Sequence, residues 1–196
     1  MRHVTAPTPH DREDALVSRA ARGDQTALDD LFGRYRDPAY RVAYRLLGNA
    51  EDALDAVQDG FIKALTHLPG FEGRASFKTW LLRVVSNAAL DLGRQRRRRD
   101  ELSALVTERI GPDGGTTPDH LDPMREAEEA DLRTALADAL RQLPEAQRRT
   151  FVLHVDGGLS YREVADAMGI SIGTVMSRLF YARQKLKGML AARVQP

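Results

Sequence analysis

Apolar residues recur at helical spacing along most of this chain, and no stretch alternates apolar and polar residues as a half-buried strand would. In the first half this pattern predicts four helices. The first begins near Ala15 and breaks at Gly23-Asp24, and the second ends at Gly48-Asn49. The third runs from about Ala50 to Leu68. The fourth follows Ser76, which is a natural N-cap.

The third and fourth helices show distinct faces. The predicted apolar face of the third helix consists of Leu54, Val57, Phe61, Ile62 and Leu65. Its carboxylates Asp52, Asp55 and Asp59 lie together on another face, and no basic residue precedes Lys63 in this helix to pair with them. The fourth helix is predicted to bury Phe77, Trp80, Leu81, Val84, Ala88 and Leu92.

Proline and glycine cluster between Asp100 and Pro123, which predicts a linker rather than a domain. A second helical unit follows, with Pro144 at the start of one of its helices. We therefore predict an all-α protein in which two small helical domains are joined by a flexible acidic linker. The predicted division is a flexible N-terminus (1–13), a first domain (14–99), the linker (100–123), a second domain (124–190) and a tail (191–196).

The last third of the chain has the layout of a DNA-reading helix-turn-helix. Leu159, Val164 and Ala165 form one apolar stripe, Gly169 breaks the first helix, and Ser171 can cap the second. The second helix, from about Ile172 to Met189, has no acidic residue. Its predicted buried stripe is Val175, Leu179, Ala182 and Leu186. The alternative for this segment alone is an ordinary helical hairpin whose exposed face happens to be basic.

Composition narrows the class of protein. Hydrophobic residues make up 42% of the chain, yet no apolar run approaches the roughly 18 residues that a membrane helix needs. Cysteine is absent, and the polar N-terminus has no signal-peptide core, so we expect a cytoplasmic protein without membrane insertion. No appended regulatory domain is expected after Pro196.

The net charge of +1 hides a segregation of charge along the chain. An acidic cluster in the third helix is followed by a stretch, Phe77 to Arg99, with seven basic residues and one acid. From Asp100 to Asp131 ten acidic residues face only two arginines, and the final helices are basic again. This alternation predicts several partners, of which at least one is a polyanion.

We find no convincing catalytic or metal-binding constellation. Three carboxylates on one exposed helix face are more typical of a solvated or partner-binding surface than of a metal site. The histidines lack ligand spacing, and Gly70-x-x-Gly73 lacks the context of a phosphate loop. We therefore predict no enzyme activity, catalytic residue, cofactor or metal. The loop before the fourth helix instead places aromatic residues among basic ones, as single-stranded nucleic acid requires, although Phe77 and Trp80 also fit the core.

Two long motifs carry a resemblance to a known family. The first reads Asp52-x-x-Asp55-x-x-x-Asp59-x-Phe61-Ile62-Lys63-Ala64, then Phe71-Glu72-Gly73-Arg74-x-Ser76-Phe77-x-Thr79-Trp80-Leu81-x-Arg83-Val84-x-x-Asn87-x-x-x-Asp91. It resembles the second conserved region of extracytoplasmic-function (group IV) sigma factors, in the sigma-70 superfamily of bacterial RNA polymerase. The second runs from Leu143-Pro144-x-x-Gln147-Arg148 to Gly173-Thr174-Val175-x-Ser177-Arg178-Leu179 and resembles their fourth region.

The resemblance implies a transcription initiation factor that binds core RNA polymerase and promoter DNA. The implied dock on the clamp coiled coil is Asp52, Asp55, Gln58 and Asp59, and a second polymerase contact is the flap. Contacts to −10 DNA, with one base extruded from the non-template strand, are implied for Lys63, Phe71, Glu72, Gly73, Arg74, Ser76, Arg83, Asn87, Asp91 and Arg94. Contacts to the −35 element are implied for Ser171, Thr174, Ser177, Arg178, Phe180, Tyr181, Arg183 and Lys185. An anti-sigma factor is the implied regulator.

The chain also departs from the family pattern. Gly60 stands mid-helix where relatives usually carry a larger residue, at a cost of about 1 kcal/mol relative to Ala. Leu65 replaces an aromatic residue, and Met176 and Tyr181 replace arginines that face DNA in some members. Two other functions remain open from the residues alone. One is a transcriptional regulator that binds operator duplex unaided, and the other is a module whose basic helices bind an acidic protein.

Overall fold

The computed structural model describes residues 9–104 and 134–194, and within these ranges the chain forms helices and no strand. We call the two ranges the N-terminal and C-terminal domains. The prediction of an all-α protein is confirmed. The helices are α1 (Pro9–Ala21), α2 (Gln25–Leu47), α3 (Ala50–His67), α4 (Phe77–Ala104), α5 (134–141), α6 (Glu145–Val155), α7 (Tyr161–Met168) and α8 (Ile172–Val194), with a 3₁₀ turn at Leu68–Gly70.

The residues predicted to start and end helices occupy those positions in the structure. Asp24 caps α2 by accepting a hydrogen bond from the Ala27 backbone N–H at 3.1 Å, and Gly48 ends that helix in the left-handed conformation. Ser76 caps α4 in the same way as Asp24, through the Thr79 N–H at 3.2 Å. Gly169 ends α7 at φ 64°, and Ser171 caps α8.

The apolar face predicted for α3 is right for Val57, which is buried, and wrong for Leu54, Ile62 and Leu65. Leu54, Ile62 and Leu65 are 53%, 55% and 42% exposed, and Phe61 is half-buried. The buried face carries small residues instead: Ala53, Ala56, Val57, Gly60 and Ala64. Small side chains let two helices approach closely, so α3 packs on α4 through the face that carries these residues. The larger apolar residues of α3 are left at the surface.

Gly60 lies directly against Val85 of α4. A Cβ atom added there would lie 2.8 Å from Val85 Cγ2 and 3.0 Å from Val85 Cα. Such distances are well inside van der Waals contact. The sequence indicated only that this glycine lowers helix propensity. In the structure, the contact with Val85 leaves no room for a larger side chain at position 60.

Helix α4 is buried on more sides than predicted. Phe77, Leu81 and Ala88 are buried as expected, while Trp80, Val84 and Leu92 are half-buried. Leu82, Val85, Ala89 and Leu90 are buried as well. The additional burial arises because α4 packs on α2 and α3 and also on the C-terminal domain. One apolar core runs from these residues to Leu153, Leu159 and Val164.

The C-terminal domain is built around the predicted helix-turn-helix. Val175, Leu179, Ala182 and Leu186 are all buried, so the stripe predicted for α8 is confirmed. The C-terminal half of α8 packs against α5 in a second small core.

The helices overrun the predicted domain limits at three places. Helix α1 begins at Pro9, α4 continues to Ala104 and α8 continues to Val194. The predicted flexible N-terminus, most of the linker and the end of the tail lie outside the described residues. None of the described helices is both long and apolar enough to cross a membrane.

Candidate polymerase and DNA interfaces

The loop before α4 is walled by aromatic rings. The Phe71 ring lies 5.2 Å from that of Trp80 and 6.0 Å from that of Phe77. Phe77 is 2% exposed and belongs to the core, while Phe71 and Trp80 are half-buried at the edge of the loop. Glu72 and Arg74 are exposed and form an ion pair at 2.5 Å, and Gly73 between them has a φ of 68°. This region therefore offers apolar walls beside exposed charges.

One face of α4 carries four of the residues predicted to contact −10 DNA. Arg83, Asn87, Asp91 and Arg94 are all exposed, and their spacing of three or four residues places them in a row. Arg94 donates to Asp91 at 2.6 Å, and this hydrogen bond, together with the charges of Glu145 and Asp91, raises the pKa of Arg94. Lys63 lies across a groove from this row, on α3, where it pairs with Asp59 at 2.7 Å and lines the same groove as Asp91 and Arg94.

The acidic face of α3 has basic neighbours, contrary to prediction. Asp59 pairs with Lys63, and Asp52 pairs with Arg96 of α4, whose pKa is raised by that bond. The error arose because α3 and α4 run antiparallel, so the arginine run at the end of α4 returns beside the start of α3. Asp55 and Gln58 are exposed, and no ion pair or side-chain hydrogen bond within the described residues engages them. A groove between the two helices brings Asp55 and Asp59 to the same surface as Asp91 and Arg94.

The exposed side of α8 combines aromatic, hydroxyl and basic groups. Phe180 and Tyr181 are 61% and 55% exposed, with ring centroids 5.4 Å apart. Arg183 and Lys185 are exposed, while Arg178 is half-buried. Of the predicted set, Ser171, Thr174 and Ser177 cluster at the start of the helix. The Ser171 and Thr174 hydroxyls lie 2.9 Å apart, and Ser177 donates to the Thr174 carbonyl at 3.0 Å.

Sequence reasoning missed a set of contacts between the two domains. Glu163 Oε1 accepts from the hydroxyls of Ser76 and Thr79 at 3.5 and 3.3 Å. Lys78 Nζ donates to the Gly158 carbonyl at 3.1 Å. Burial alone would raise the pKa of Glu163, but the hydrogen bonds from Ser160 and Thr79 and the charge of Lys78 lower it overall. Glu163 was recognisable from sequence only as a capping residue, since its Oε2 accepts from the Ser160 N–H at 2.8 Å.

Three ion pairs also join the domains. Arg45 donates to Asp156 at 3.1 Å, and burial raises the pKa of Asp156 despite this positive neighbour. Arg94 and Arg97 both face Glu145, at 2.8 and 3.7 Å. One sequence signal for these contacts was available: α4 is apolar on more than one face, which is typical of a helix buried between two neighbours.

No group of three or more metal-ligating side chains is placed to hold a metal ion in residues 9–104 and 134–194.

Arg148 and Arg149 are the least expected polar residues of the C-terminal domain. Burial, together with the nearby charges of Arg97 and Arg83 respectively, lowers the pKa of both guanidinium groups. Their Nε atoms are buried, and within the described residues neither has a hydrogen-bond partner.

Two protein families match this chain. Residues 31–99 match Sigma-70 region 2, and residues 133–186 match Sigma-70, region 4. The ECF RNA polymerase sigma-E factor of Haemophilus influenzae is 33% identical over 186 residues, covering 94% of this chain and 96% of the relative. The ECF RNA polymerase sigma factor SigW of Bacillus subtilis is 30% identical, covering 89% and 94% respectively.

A solved structure shows the same architecture. The sigma factor RpoE of Bartonella quintana, in complex with the anti-sigma factor NepR, matches with a TM-score of 0.62 and 27% identity. The match covers 86% of this chain and 99% of that one. These likenesses span both domains, and they exclude the alternatives of an unaided operator-binding regulator and of a general protein-interaction module. The chain belongs to the extracytoplasmic-function sigma factors of the sigma-70 family.

Proposed function

We propose that this sigma factor docks on core RNA polymerase through the acidic face of α3, opens the −10 element with α4 and its preceding loop, and reads the −35 element with α8. One observation carries this assignment: a single chain exposes an acidic helix face, an aromatic-walled loop beside a polar helix face, and a basic recognition helix. These three surfaces differ in chemistry and therefore suit three different targets.

Asp55 and Gln58 form the centre of the proposed polymerase dock. Both are exposed and turn toward solvent on a helix that is anchored by its small-residue face. Asp59 contributes its carboxylate beside Lys63, and Asp52 is held by Arg96 at the edge of the surface. An acidic surface of this kind suits a basic partner, for which we propose the polymerase clamp coiled coil. A second contact, of the C-terminal domain with the flap, completes the proposed holoenzyme.

The loop of residues 71–76 and the exposed row on α4 form the proposed −10 surface. An extruded base needs an apolar wall for stacking and polar groups that reach its hydrogen-bonding edge. Phe71 and Trp80 supply rings at the edge of the loop, and Asn87 supplies an amide on the adjacent helix face. Arg83 and Arg94 are placed along the same face to meet phosphates.

The exposed side of α8 is the proposed −35 reader. A recognition helix in the major groove uses three or four side chains to reach base edges. Ser177, Tyr181 and Arg178 are suited to that role, and Arg183, Lys185 and Lys187 to phosphate contacts. Because Met176 and Tyr181 supply no charge, apolar contact to thymine methyl groups replaces part of the guanine recognition that arginine would give.

We also propose that an anti-sigma factor regulates this chain, as its structural relative was solved with one. The exposed apolar side chains Leu54, Ile62 and Leu65 on α3 provide surface for such a protein. The place of action is the bacterial cytoplasm, where polymerase and promoter DNA are found.

Run-off transcription tests the proposed function. Core polymerase and the purified chain are incubated with fragmented genomic DNA of the source organism, and transcripts are mapped to their start sites. We expect starts that share a −35 and a −10 element and that disappear when the chain is omitted. Random start sites, or no increase over core enzyme alone, would contradict the proposal.

A further inference from the structure

A groove, which we call the α7–α8 groove, opens between the start of α7 and the exposed side of α8. It is lined by three apolar and three polar side chains: Tyr161, Met176, Phe180, Arg183, Gln184 and Lys187. Met176 and Phe180 are 55% and 61% exposed, so the apolar wall of the groove faces solvent. Exposed apolar surface with a polar rim is typical of a binding site. Tyr161 is not among the residues predicted from the sequence to contact DNA.

The two aromatic walls of the groove are held by neighbours within the C-terminal domain. His154 Nδ1 donates to the Leu159 carbonyl at 2.8 Å, and the His154 ring packs edge-on against the Tyr161 ring with centroids 4.9 Å apart. Phe180 packs in the same manner against Tyr181, at 5.4 Å. Edge-to-face pairs have a preferred geometry, so both rings have a defined position before any ligand binds.

The chemistry of the groove matches one particular group on DNA. Base edges in the major groove present hydrogen-bonding groups and, on thymine, an apolar methyl group at carbon 5. Met176 offers no hydrogen-bond donor for the acceptor pair of guanine, but its flexible thioether packs well against a small apolar group. Arg183 and Lys187 lie beside the apolar wall and suit a phosphate. The groove therefore fits a methylated pyrimidine and its backbone.

The position of the groove in the helix-turn-helix fits this target. In such a motif the second helix lies in the major groove while the first helix crosses the DNA backbone. Tyr161 begins α7, the first helix, and Met176 and Phe180 lie in the N-terminal half of α8, the second. The groove is also continuous with the proposed −35 surface, because Met176 precedes Ser177 and Phe180 precedes Tyr181.

We propose that the α7–α8 groove seats the 5-methyl group of one pyrimidine of the −35 duplex, and that Tyr161 and Met176 determine this selectivity. The recognised group is the methyl rather than the hydrogen-bonding edge of the base. Thymine and 5-methylcytosine therefore make the same contact, whereas uracil and cytosine do not, and methylation of a cytosine at this position strengthens promoter binding. This inference rests on the proposed role of α8 at the −35 element.

The test varies the methyl group alone. Selection from a randomised −35 library by holoenzyme first gives the preferred element. Each pyrimidine of that element, on either strand, is then replaced in synthetic duplexes by thymine, deoxyuridine, cytosine or 5-methylcytosine, and holoenzyme affinity is measured by competition. We expect one position at which thymine binds about fourfold more tightly than deoxyuridine, as for one buried methyl group. At that position 5-methylcytosine should exceed cytosine by the same factor.

Variants locate the effect in the groove. M176A changes an exposed side chain and should bring both affinity ratios to about one, as should Y161A, whereas Y161F keeps the ring and should keep both ratios. I172A is the matched control, because Ile172 is an exposed apolar residue of α8 that does not line the groove. Methyl dependence at no position, methyl dependence that survives in M176A, or an equal loss in I172A would overturn the proposal.

The same experiment separates this proposal from the proposed function. If holoenzyme recovers no common −35 element from the library, the proposed function is contradicted and this inference with it. A common element that binds equally well with and without its methyl groups contradicts the methyl seat alone.

Discussion

The two helices that carry the proposed DNA contacts differ in how much of their polar surface is engaged inside the protein. On α4, Ser76 at the cap and Arg94 on the exposed row both bond to carboxylates of the other domain. On α8, Tyr181, Arg183 and Lys185 are exposed, and no hydrogen bond or ion pair within residues 9–104 and 134–194 involves their side chains. The comparison teaches that polar residues of one proposed DNA surface also join the two domains, whereas those of the other surface face solvent alone.

The largest expected effect concerns the α3 surface through which the chain is proposed to dock on polymerase. D55K/D59K should lower the affinity for core polymerase at least about 100-fold, because reversing charges in an interface costs about 2–5 kcal/mol. The control D30K/D37K makes the same charge change on α2. Fluorescence anisotropy with labelled chain measures both affinities, and helicity by circular dichroism should not change. Full core affinity in D55K/D59K would remove α3 from the dock.

A smaller effect is expected for the exposed row of α4. N87A should reduce opening of the −10 element about 2- to 12-fold, as expected for the loss of a hydrogen bond of about 0.5–1.5 kcal/mol. Permanganate reactivity of promoter thymines measures the opening, and footprinting should show −35 protection unchanged. Q25A, an exposed amide on α2, is the control. Normal reactivity in N87A would show that α4 meets DNA elsewhere on its surface.

The same substitution in the two regions should have opposite effects on stability. G60A should destabilise the protein by up to about 2 kcal/mol, since overpacking against Val85 costs about 1–3 kcal/mol and helix propensity returns about 1. G188A on the open helix meets no atom and should stabilise by about 0.5–1 kcal/mol. Urea denaturation of both variants gives the free energies of unfolding. A stabilising G60A would mean that α3 and α4 are farther apart than described.

These glycines show what the sequence could and could not predict. Helix ends were predictable because Asp24, Gly48 and Gly169 act through local backbone chemistry. The buried stripe of α8 was predictable because it packs within its own domain. The buried face of α3 was not predictable, because Ala56 and Gly60 contribute little to a hydrophobic pattern. These two residues nevertheless determine how closely α4 approaches.

The candidate site divides in the same way. Exposure of Asn87 and Tyr181 follows from helix periodicity, so these residues were placed correctly on open faces, while their roles remain predictions. The partners of Ser76 and Arg94 were beyond sequence reasoning. Glu163 and Glu145 are distant in sequence and look like ordinary first-turn acids, which local capping already explains.

The smallest effects are expected at the phosphate contacts of α8. K185A should weaken binding to all promoters alike and reduce the slope of log affinity against log salt by about 1, as for one lost phosphate contact. Y181A should instead alter which −35 bases are tolerated. Selection from a randomised −35 library by holoenzyme distinguishes the two. Identical base preferences in Y181A and the unaltered chain would remove Tyr181 from the reading surface.

Site-specific photo-crosslinking tests the central claim most directly, because it compares the proposed −10 surface of α4 with the proposed −35 surface of α8 in one experiment. A photoreactive amino acid is placed at Asn87 in one sample and at Tyr181 in another. Each is exposed to promoter DNA carrying a single-stranded −10 segment, with and without core polymerase. We predict that in the holoenzyme Tyr181 crosslinks to the −35 duplex and Asn87 crosslinks to the single-stranded −10 segment. Crosslinking of either residue to the other element, or no crosslink in the holoenzyme, would contradict the account.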